Sequence, residues 1–267
     1  MFLAHKHHIK EGQYIPLEQY NKTKVLTYNN GKYQLISNVC PHQKSIISIK
    51  KGYGNRTCPY HSWTFDIDGT PLTNGRTTCK NDYTLKNETV YEWDNLLFSV
   101  PVTNIPFLQL KDFQLIEQRI DIVHANSITI MDLFLDVDHI PTVHQGVYEQ
   151  LGIDTSQVSW NYYVNGSEQT VNGAKWIAIY PNTMIEWQLG ALFITVAEHI
   201  NECQSKVHVF KYRDPSMHET VWDLNEHVWE IAWQQDKQQA ELIVGINYDN
   251  LEISKQHYRD WLNGPNI

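Results

Sequence analysis

The chain has 267 residues but no long hydrophobic run. No stretch approaches the roughly 18 apolar residues that a membrane-spanning helix needs, and the N-terminal segment turns polar too early for a secretory signal. Hydrophobic residues still make up 42% of the chain, which is enough for a sizeable core in one large domain or two modest ones. We therefore expect a globular cytoplasmic protein without a membrane partner.

Positive charge is also scarce. The chain carries 21 Lys and Arg against 30 Asp and Glu, for a net charge of −9. Without a basic stripe to neutralise phosphates, nucleic acid is not an expected partner. The segment from 44 to 56 has two interpretations. It forms either a local basic patch that binds an acidic protein partner or an ordinary solvated loop. Its basic residues are Lys44, Lys50, Lys51 and Arg56.

Cysteine is rare, and two of the four cysteines each lie just before a proline and a histidine. Of the four cysteines, Cys79 and Cys203 are expected to be free thiols in a reducing compartment. The other two occur in Cys40-Pro-His42 and, after fifteen intervening residues, in Cys58-Pro-Tyr-His61. Two thiolates for one iron and two imidazoles for the other are the ligands of a Rieske-type [2Fe–2S] cluster. The same donor types also suit a structural zinc ion.

The residues after Cys58 favour the iron–sulfur cluster over zinc. They continue as His-Ser-Trp-Thr-Phe-Asp-Ile-Asp-Gly from His61 to Gly69, which closely resembles the C-P-x-H-x-W-x-F-x-x-x-G run of Rieske domains. This resemblance implies that Cys40, His42, Cys58 and His61 hold the cluster. Three neighbours depart from the usual residues of that family and would change the surroundings of the cluster: Gln43, Ser45 and Ser62.

Strand and turn patterns predict a small antiparallel β domain over residues 1–104. The segment 24–39 alternates around Asn29-Asn30-Gly31, which is typical of a hairpin, and a second strand pair flanks Asp94-Asn95. Pro101 and Pro106 mark the end of this domain.

The pattern changes in residues 105–267. The segment 128–144 has helical spacing interrupted by Pro141, the segment 157–213 predicts an antiparallel meander, and 219–243 predicts a long helix. The predicted fold class is therefore α+β, with an all-β domain followed by a sheet and a long C-terminal helix.

A second pair of histidines lies in this half, at His139 and His144. Two imidazoles five residues apart, with a proline between them, can bind one metal ion. With one carboxylate they form the face of donors that non-haem Fe(II) oxygenases use, which leaves positions open for O2 and substrate. The spacing alone fits two unliganded histidines equally well, but its place after the first motif favours a metal. We interpret Asp138 as a surface carboxylate, and His5, His7 and His8 as terminal surface residues.

With both motifs, the chain resembles the α (catalytic) subunits of Rieske non-haem iron oxygenases. The resemblance also rests on Asn126, Asp132 and Asp136 before the histidines and on Tyr180-Pro-Asn182. It implies a helix-grip catalytic domain, a mononuclear Fe(II), and a homotrimer in which the cluster of one subunit faces the iron of the next. It also implies that Asp136 bridges a cluster histidine and an iron-ligand histidine across that interface. Electrons would come from NAD(P)H through a reductase or ferredoxin.

The third iron ligand departs from the family pattern. The family usually has an aspartate near the start of the C-terminal helix, five residues before a glutamate. Five residues before Glu230 stands Asn225, which predicts an amide ligand, while Glu226 is the alternative after a one-residue shift and Asp223 is a third. Two strong ligands plus water, with Asn225 as a helix N-cap, is a further interpretation.

The predicted function is an oxygenase component of the monooxygenase or demethylase branch. It would use O2 and electrons from a reductase to hydroxylate or oxidatively dealkylate a small organic substrate. The alternative is a Rieske electron-transfer protein whose second site is degenerate and free of iron. Aromatic and histidine side chains that are either pocket or core are Tyr162, Trp176, Trp187, Phe193 and His208.

Overall fold

The computed structural model describes residues 1–73, 83–110, 112–243 and 253–264, and Cys79 lies outside these ranges. The chain divides into two compact units, Phe2–Pro101 and Val102–Ile267, with Met1 grouped with the second. This division lies close to the boundary predicted after residue 104. In the described ranges, no helix is long and apolar enough to cross a membrane.

The N-terminal unit consists of short antiparallel strands in three sheets. The sheet orders are β5-β2-β3-β4-β9, β1-β11-β10 and β6-β7-β8. The strands are β1 (Phe2–His5), β2 (Gln13–Pro16), β3 (Lys24–Asn29), β4 (Lys32–Ser37), β5 (Gly52–Tyr53), β6 (Arg56–Thr57), β7 (Thr64–Phe65), β8 (Pro71–Thr73), β9 (Asn87–Thr89), β10 (Tyr91–Trp93) and β11 (Leu96–Phe98).

Both predicted hairpins of this unit are confirmed. Asn30 and Gly31 join β3 to β4 with φ angles of 50° and 73°, and Asp94 and Asn95 join β10 to β11 with φ angles of 49° and 68°. Two consecutive residues with a positive φ form a type I′ turn, whose twist matches the right-handed twist of the flanking strands. Asn, Asp and Gly adopt this left-handed backbone most readily.

The C-terminal unit is built on one seven-stranded antiparallel sheet in the order β12-β18-β17-β16-β15-β14-β13. Six consecutive strands form the predicted meander, and β12 closes the edge by pairing with β18. The strands are β12 (Gln114–Val123), β13 (Ser159–Tyr163), β14 (Gly166–Val171), β15 (Ala174–Ile179), β16 (Thr183–Gln188), β17 (Ala191–Asn201) and β18 (Gln204–Arg213). Residues Tyr180–Asn182 form the turn between β15 and β16, as their resemblance to a strand end implies.

The helices of this unit are α1 (Ser127–Phe134), α2 (Ile140–Val143), α3 (Glu219–Leu242) and α4 (Ile253–Asn263). The long predicted helix is confirmed as α3, whereas α4 was not predicted. The sequence pattern predicted one helical segment that Pro141 interrupts before His144, and this position of the interruption is wrong. The first helix already ends at Phe134, and Pro141 lies in the first turn of α2, where its missing N–H is not needed.

Helix α3 packs on the sheet through large aromatic side chains. Trp229 is buried and stacks on Phe193 of β17, with ring centroids 5.0 Å apart and an interplanar angle of 12°. Trp222 also stacks on Phe193, with ring centroids 5.8 Å apart and an interplanar angle of 23°. This packing of one long helix against an antiparallel sheet is the helix-grip arrangement that the resemblance implies.

Two residues expected at the surface are buried. His5 is fully buried because it belongs to β1 and pairs with Leu96 of β11, so the description of the N-terminal histidines as surface residues is wrong for it. Arg56 is only 1% exposed because β6 pairs with Phe65 of β7. The basic segment therefore presents Lys44, Lys50 and Lys51 to solvent, without the guanidinium.

Candidate metal centres

The two cysteine motifs form loops with the same backbone hydrogen bonds. In the first loop, the N–H of Cys40 donates to the carbonyl of Ser45 at 2.8 Å, and the N–H of Lys44 donates to the carbonyl of Cys40 at 3.0 Å. The second loop repeats both bonds, from Cys58 to Trp63 at 2.7 Å and from Ser62 to Cys58 at 3.0 Å. Two matched loops therefore present two matched pairs of side chains.

Each loop contains a left-handed residue four positions after its cysteine. The φ angle is 58° at Lys44 and 59° at Ser62. The family often has glycine at the position of Ser62, and the structure gives the reason. A residue with a Cβ is strained in this backbone, whereas glycine is not.

The donor atoms of these loops differ in exposure. Cys40 and Cys58 are 1% and 2% exposed, and burial, followed by hydrogen bonding with the Cys58 thiol, raises the pKa of Cys40. His42 and His61 are exposed, with ring centroids 4.7 Å apart, and His42 stacks on Trp63 at 5.2 Å. Buried thiols behind an exposed pair of imidazoles fit a [2Fe–2S] cluster with one iron inside and one iron at the surface.

The second pair of histidines meets a carboxylate. His139 Nε2 lies 3.0 Å from His144 Nε2, and the Oδ1 atom of Asp236 lies 3.2 Å from the first nitrogen and 3.0 Å from the second. In the part of the chain that the structure describes, these residues are the only group of three or more His, Cys, Asp or Glu side chains whose donor atoms lie within 4.8 Å of one another, close enough for one metal ion.

The size of this triangle fits one metal ion. Metal–nitrogen bonds are about 2.1 Å long, and donors at right angles around such an ion lie about 3.0 Å apart, since the separation is √2 times the bond length. The three observed separations agree with one face of an octahedron. The donor set is the two histidines and one carboxylate that non-haem Fe(II) sites use, with the opposite face open.

Local structure explains how the histidines converge. His139 and His144 flank the short helix α2 as its N-cap and C-cap residues, and the backbone leaves the helical conformation at His144 (φ −106°, ψ 29°). The side-chain Oε1 of Gln235 lies 2.8 Å from Nδ1 of His144. Because this oxygen accepts a hydrogen bond, it keeps the proton on Nδ1 and leaves Nε2 free to bind a metal.

Charge also holds the cluster together. Burial by itself lowers the pKa of His144, but its hydrogen bonds to Asp236 and Gln235 and the negative charge of Asp236 together outweigh burial, and the pKa is raised. Burial by itself raises the pKa of Asp236, and its bonds with His139 and His144 outweigh this effect and lower it. The side chain of Asp236 is therefore a carboxylate anion at neutral pH.

The predicted third ligand lies elsewhere on the same helix. Asn225 donates from Nδ2 to the carbonyl of Val221 at 2.8 Å, and Glu226 accepts a bond from Lys211 at 2.9 Å. Asn225 precedes Asp236 by eleven residues, which is about 16 Å along a helix. The alternative Asp223 is exposed. The structure brings neither Asn225 nor Glu226 to the two histidines, and the carboxylate that it places there is that of Asp236, which counting back from Glu230 did not select.

A signal for Asp236 was present in the sequence. Asp236 follows Trp229 by seven residues and Trp233 by three, so it continues the face of α3 that is buried. A carboxylate within such an apolar stripe is unusual, and it indicates a partner in the interior.

Asp136 lies beside this cluster and binds a lysine of α4. Its Oδ2 accepts from Lys255 Nζ at 2.7 Å, and its Oδ1 accepts from the backbone N–H of Asp138 at 3.1 Å. On the same helix, Arg259 pairs with Asp132. Asp138 is exposed, as predicted. Lys255 and Arg259 were not predicted, because the helix that carries them was not.

A narrow cavity of about 30 Å³ adjoins the cluster. Burial raises the pKa of one of its carboxyl groups, Glu186, to about 7. Of the aromatic residues proposed for a pocket, Trp176 is the one that lines this cavity, and Phe193 instead packs on α3. The lining residues are Leu133, Phe134, Asp136, His139, Ile140, His144, Tyr148, Gln169, Trp176, Met184, Glu186 and Asp236.

Comparison with known proteins agrees with the first centre and with the fold. Residues 1–86 match the family model of the Rieske [2Fe–2S] domain. The fold of the chain is also similar to that of solved structures. One of them is the quaternary ammonium Rieske monooxygenase CntA in complex with L-carnitine, with a TM-score of 0.73 at 18% identity. The chain has a Rieske domain and the fold of a Rieske monooxygenase.

Two further relatives support this assignment. The CntA match covers 90% of this chain and 76% of that chain, and NdmA of Pseudomonas putida CBB5 has a TM-score of 0.58 at 15% identity, covering 90% and 80%. Putrescine 2-hydroxylase of Ralstonia nicotianae is 24% identical over 236 residues, which is 73% of this chain. The match spans 64% of the length of that hydroxylase.

Proposed function

We propose that this Rieske protein is an oxygenase component that uses O2 and electrons from a reductase to hydroxylate or oxidatively dealkylate a small organic substrate. The observation that carries this proposal is the convergence of His139, His144 and Asp236 on one point beside a cavity. Two neutral imidazoles and one carboxylate on one face are a donor set that suits Fe(II) and leaves the opposite face open for further ligands.

The residues present fit both metal groups. Cys40, His42, Cys58 and His61 would hold the [2Fe–2S] cluster, which supplies electrons one at a time. His139, His144 and Asp236 would hold a mononuclear iron, which supplies the binding and activation of O2.

The protein residues prepare this site before any substrate enters. Gln235 sets the tautomer of His144, and the negative charge of Asp236 lies within 3.2 Å of both imidazole nitrogens. Ile140 and Met184 are buried and give the cavity apolar walls beside the donor atoms. Oriented donors beside an apolar wall limit side reactions and strengthen electrostatic interactions.

We propose that electrons enter at the exposed edge formed by His42 and His61. Both rings are open to solvent, and Lys44, Lys50 and Lys51 on the same loop region give this surface positive charge for an acidic reductase or ferredoxin. One study of a related quaternary ammonium monooxygenase describes inter-subunit electron transfer.

We further propose that this chain forms a homotrimer in which Asp136 connects the two centres of neighbouring subunits. Asp136 adjoins His139 and lines its cavity. The salt bridge from Lys255 at 2.7 Å holds the carboxylate in one orientation, which an acceptor of imidazole N–H bonds requires.

The relatives act on different small molecules, which is consistent with a small organic substrate. One hydroxylates putrescine, one binds L-carnitine, and a variant of NdmA binds caffeine. The cavity of about 30 Å³ is narrow and favours a small or slender substrate for this chain.

The alternative function, electron transfer with an iron-free second site, depended on Asn225 in place of a carboxylate. Asp236 supplies that carboxylate, so the geometry favours the oxygenase.

The two functions differ in iron content. We would measure iron per chain and electron paramagnetic resonance on anaerobically purified protein, with nitric oxide added as a probe of Fe(II). The oxygenase predicts about three irons per chain and a ferrous–nitrosyl signal beside the reduced Rieske signal. About two irons with the Rieske signal alone would reject the oxygenase in favour of electron transfer.

A further inference from the structure

Glu186 is a buried carboxyl group in the wall of the metal-site cavity. It lies on β16, where it pairs across the sheet with Trp176 of β15 and Phe193 of β17, and it is 9% exposed. Because alternate residues of a strand share a face, Met184 and Glu186 both point to the side on which the cavity lies. No part of the proposed metal chemistry uses this carboxyl group.

Glu186 accepts a hydrogen bond from a neutral donor. The indole Nε1 of Trp229 donates to Oε1 at 2.9 Å, and Trp176 lies directly across the sheet on β15. Among the described residues, no lysine or arginine forms a salt bridge with Glu186. An N–H donor favours an ionised carboxylate, but a buried charge without a cation is costly.

Other buried carboxylates in this unit do have cationic partners. Glu168 is 3% exposed and pairs with Lys175 at 2.9 Å. Asp236 meets His139 and His144. Glu186 lies outside that group of donor atoms, so it is not a fourth member of the metal-binding cluster. Because Glu186 lines the cavity and has no lysine or arginine partner among the described residues, a cation that enters the cavity can reach its carboxyl group.

The rest of the wall suits a small organic cation. Tyr148 and Trp176 meet edge to face with ring centroids 5.5 Å apart, and Phe134 adds a third aromatic ring to the lining. Aromatic rings attract cations, and they attract them more strongly where water is excluded. The site therefore combines one carboxylate with aromatic walls.

The volume of the cavity limits the shape of that cation. About 30 Å³ is available, and one water-sized group takes roughly 10–15 Å³ by the same measure. The enclosed part of the cavity takes an ammonium group and a neighbouring methylene, and a larger group such as trimethylammonium extends beyond it into the open mouth.

We propose that Glu186 determines substrate specificity by binding the ammonium group of a primary alkylamine. This inference rests on the proposed function for the claim that the amine is a substrate, but the binding itself does not require turnover. The carboxylate, which the indole N–H of Trp229 holds in place, would accept hydrogen bonds from the ammonium group beside the face of His139, His144 and Asp236.

Binding of matched ligands tests the charge requirement in the native protein. We would titrate the metal-loaded protein anaerobically with butylamine, which is protonated at neutral pH, and with 1-butanol, which has the same chain length but no charge. We expect butylamine to bind at least tenfold more tightly than 1-butanol, and more tightly than tetramethylammonium. Equal binding of butylamine and 1-butanol, or tighter binding of tetramethylammonium, would overturn the proposal without any variant.

Two matched variants then locate the recognition. Glu186→Gln keeps the shape and removes the charge, and we expect it to weaken butylamine binding at least tenfold while leaving 1-butanol binding and the iron content unchanged. Glu168→Gln makes the same change in a buried glutamate on the neighbouring strand β14, outside the cavity lining, and we expect no change in butylamine binding. Unchanged butylamine affinity in Glu186→Gln, or an equal loss in Glu168→Gln, would refute the role of Glu186.

The outcomes separate this inference from the proposed function. Glu186-dependent butylamine binding in a protein with about two irons per chain would support the recognition site and reject the oxygenase. About three irons per chain with charge-independent ligand binding would support the oxygenase and reject the recognition site.

Discussion

Asp236 Oδ1 lies 3.0 Å from His144 Nε2, although the two residues are 92 positions apart in the chain. This approach joins the long helix α3 to the single turn α2, and it supplies the carboxylate that turns a pair of histidines into a complete donor set. The contact therefore decides whether the C-terminal unit can hold a metal ion.

The first prediction concerns this carboxylate. Asp236→Ala should reduce iron from about three to about two per chain and abolish product formation, because two imidazoles alone bind Fe(II) weakly. Metal analysis and the ferrous–nitrosyl signal measure the loss, and the Rieske signal should persist. Asp223→Ala, which removes an exposed carboxylate from the same helix, should change neither. Full iron content in Asp236→Ala would contradict the assigned ligand.

The second prediction concerns the residue that orients His144. Gln235→Ala removes the acceptor 2.8 Å from Nδ1, and it should weaken Fe(II) binding by about 10- to 100-fold. Gln235→Glu keeps an acceptor oxygen and should retain the metal. Gln234→Ala, at the neighbouring exposed position, is the control. Competition with a chelator gives the affinities, and equal values for all variants would argue against the tautomer role.

The third prediction concerns the left-handed residue of the second cysteine loop. Ser62→Gly should stabilise the N-terminal unit by about 0.5–1 kcal/mol, since strain of roughly 1–2 kcal/mol is relieved and the more flexible unfolded chain offsets part of it. Ser45→Gly should have the opposite sign, because Ser45 does not share the positive φ of Lys44 and Ser62. Urea unfolding of the full chain, followed by the visible absorption of the cluster, measures both. A destabilised Ser62→Gly would show that its backbone is not strained.

The fourth prediction concerns Asp136. Asp136→Asn should leave both metals in place but slow single-turnover electron transfer between the centres, because the neutral amide no longer accepts two N–H bonds as strongly as a carboxylate. Asp138→Asn, an exposed carboxylate two residues away, should transfer electrons at the native rate. Stopped-flow oxidation of the reduced cluster gives the rate. An unaltered rate in Asp136→Asn would remove the bridging role.

Patterns within short segments predicted much of this protein. The turns at Asn30-Gly31 and Asp94-Asn95 specify hairpins because their residues tolerate a left-handed backbone. The alternation over 157–213 predicted the meander, and the residues after Cys58 identified the Rieske domain. In each case, the residues that interact are close in sequence, so spacing constrains their geometry.

The third ligand shows where such patterns end. The family pattern places the third ligand five residues before the position of Glu230, which predicted Asn225. The side-chain amide of Asn225 instead donates a hydrogen bond to the carbonyl of Val221 in the same helix. The fold instead determines which turn of α3 passes α2. Similarly, Arg56 resembled a surface residue until strand pairing buried it.

The sequence alone determined the Rieske ligand pairs and the histidine pair, because each pair lies within one loop or one helical turn. Only the tertiary structure determined that Asp236 completes the second centre, that Lys255 binds Asp136, and that Glu186 enters the cavity. These residues come from α3, α4 and β16, and no spacing rule relates them to the histidines. Packing of α3 on the sheet brings Asp236 to the histidines, because the burial of the tryptophans of α3 decides which carboxylates of this helix face inward.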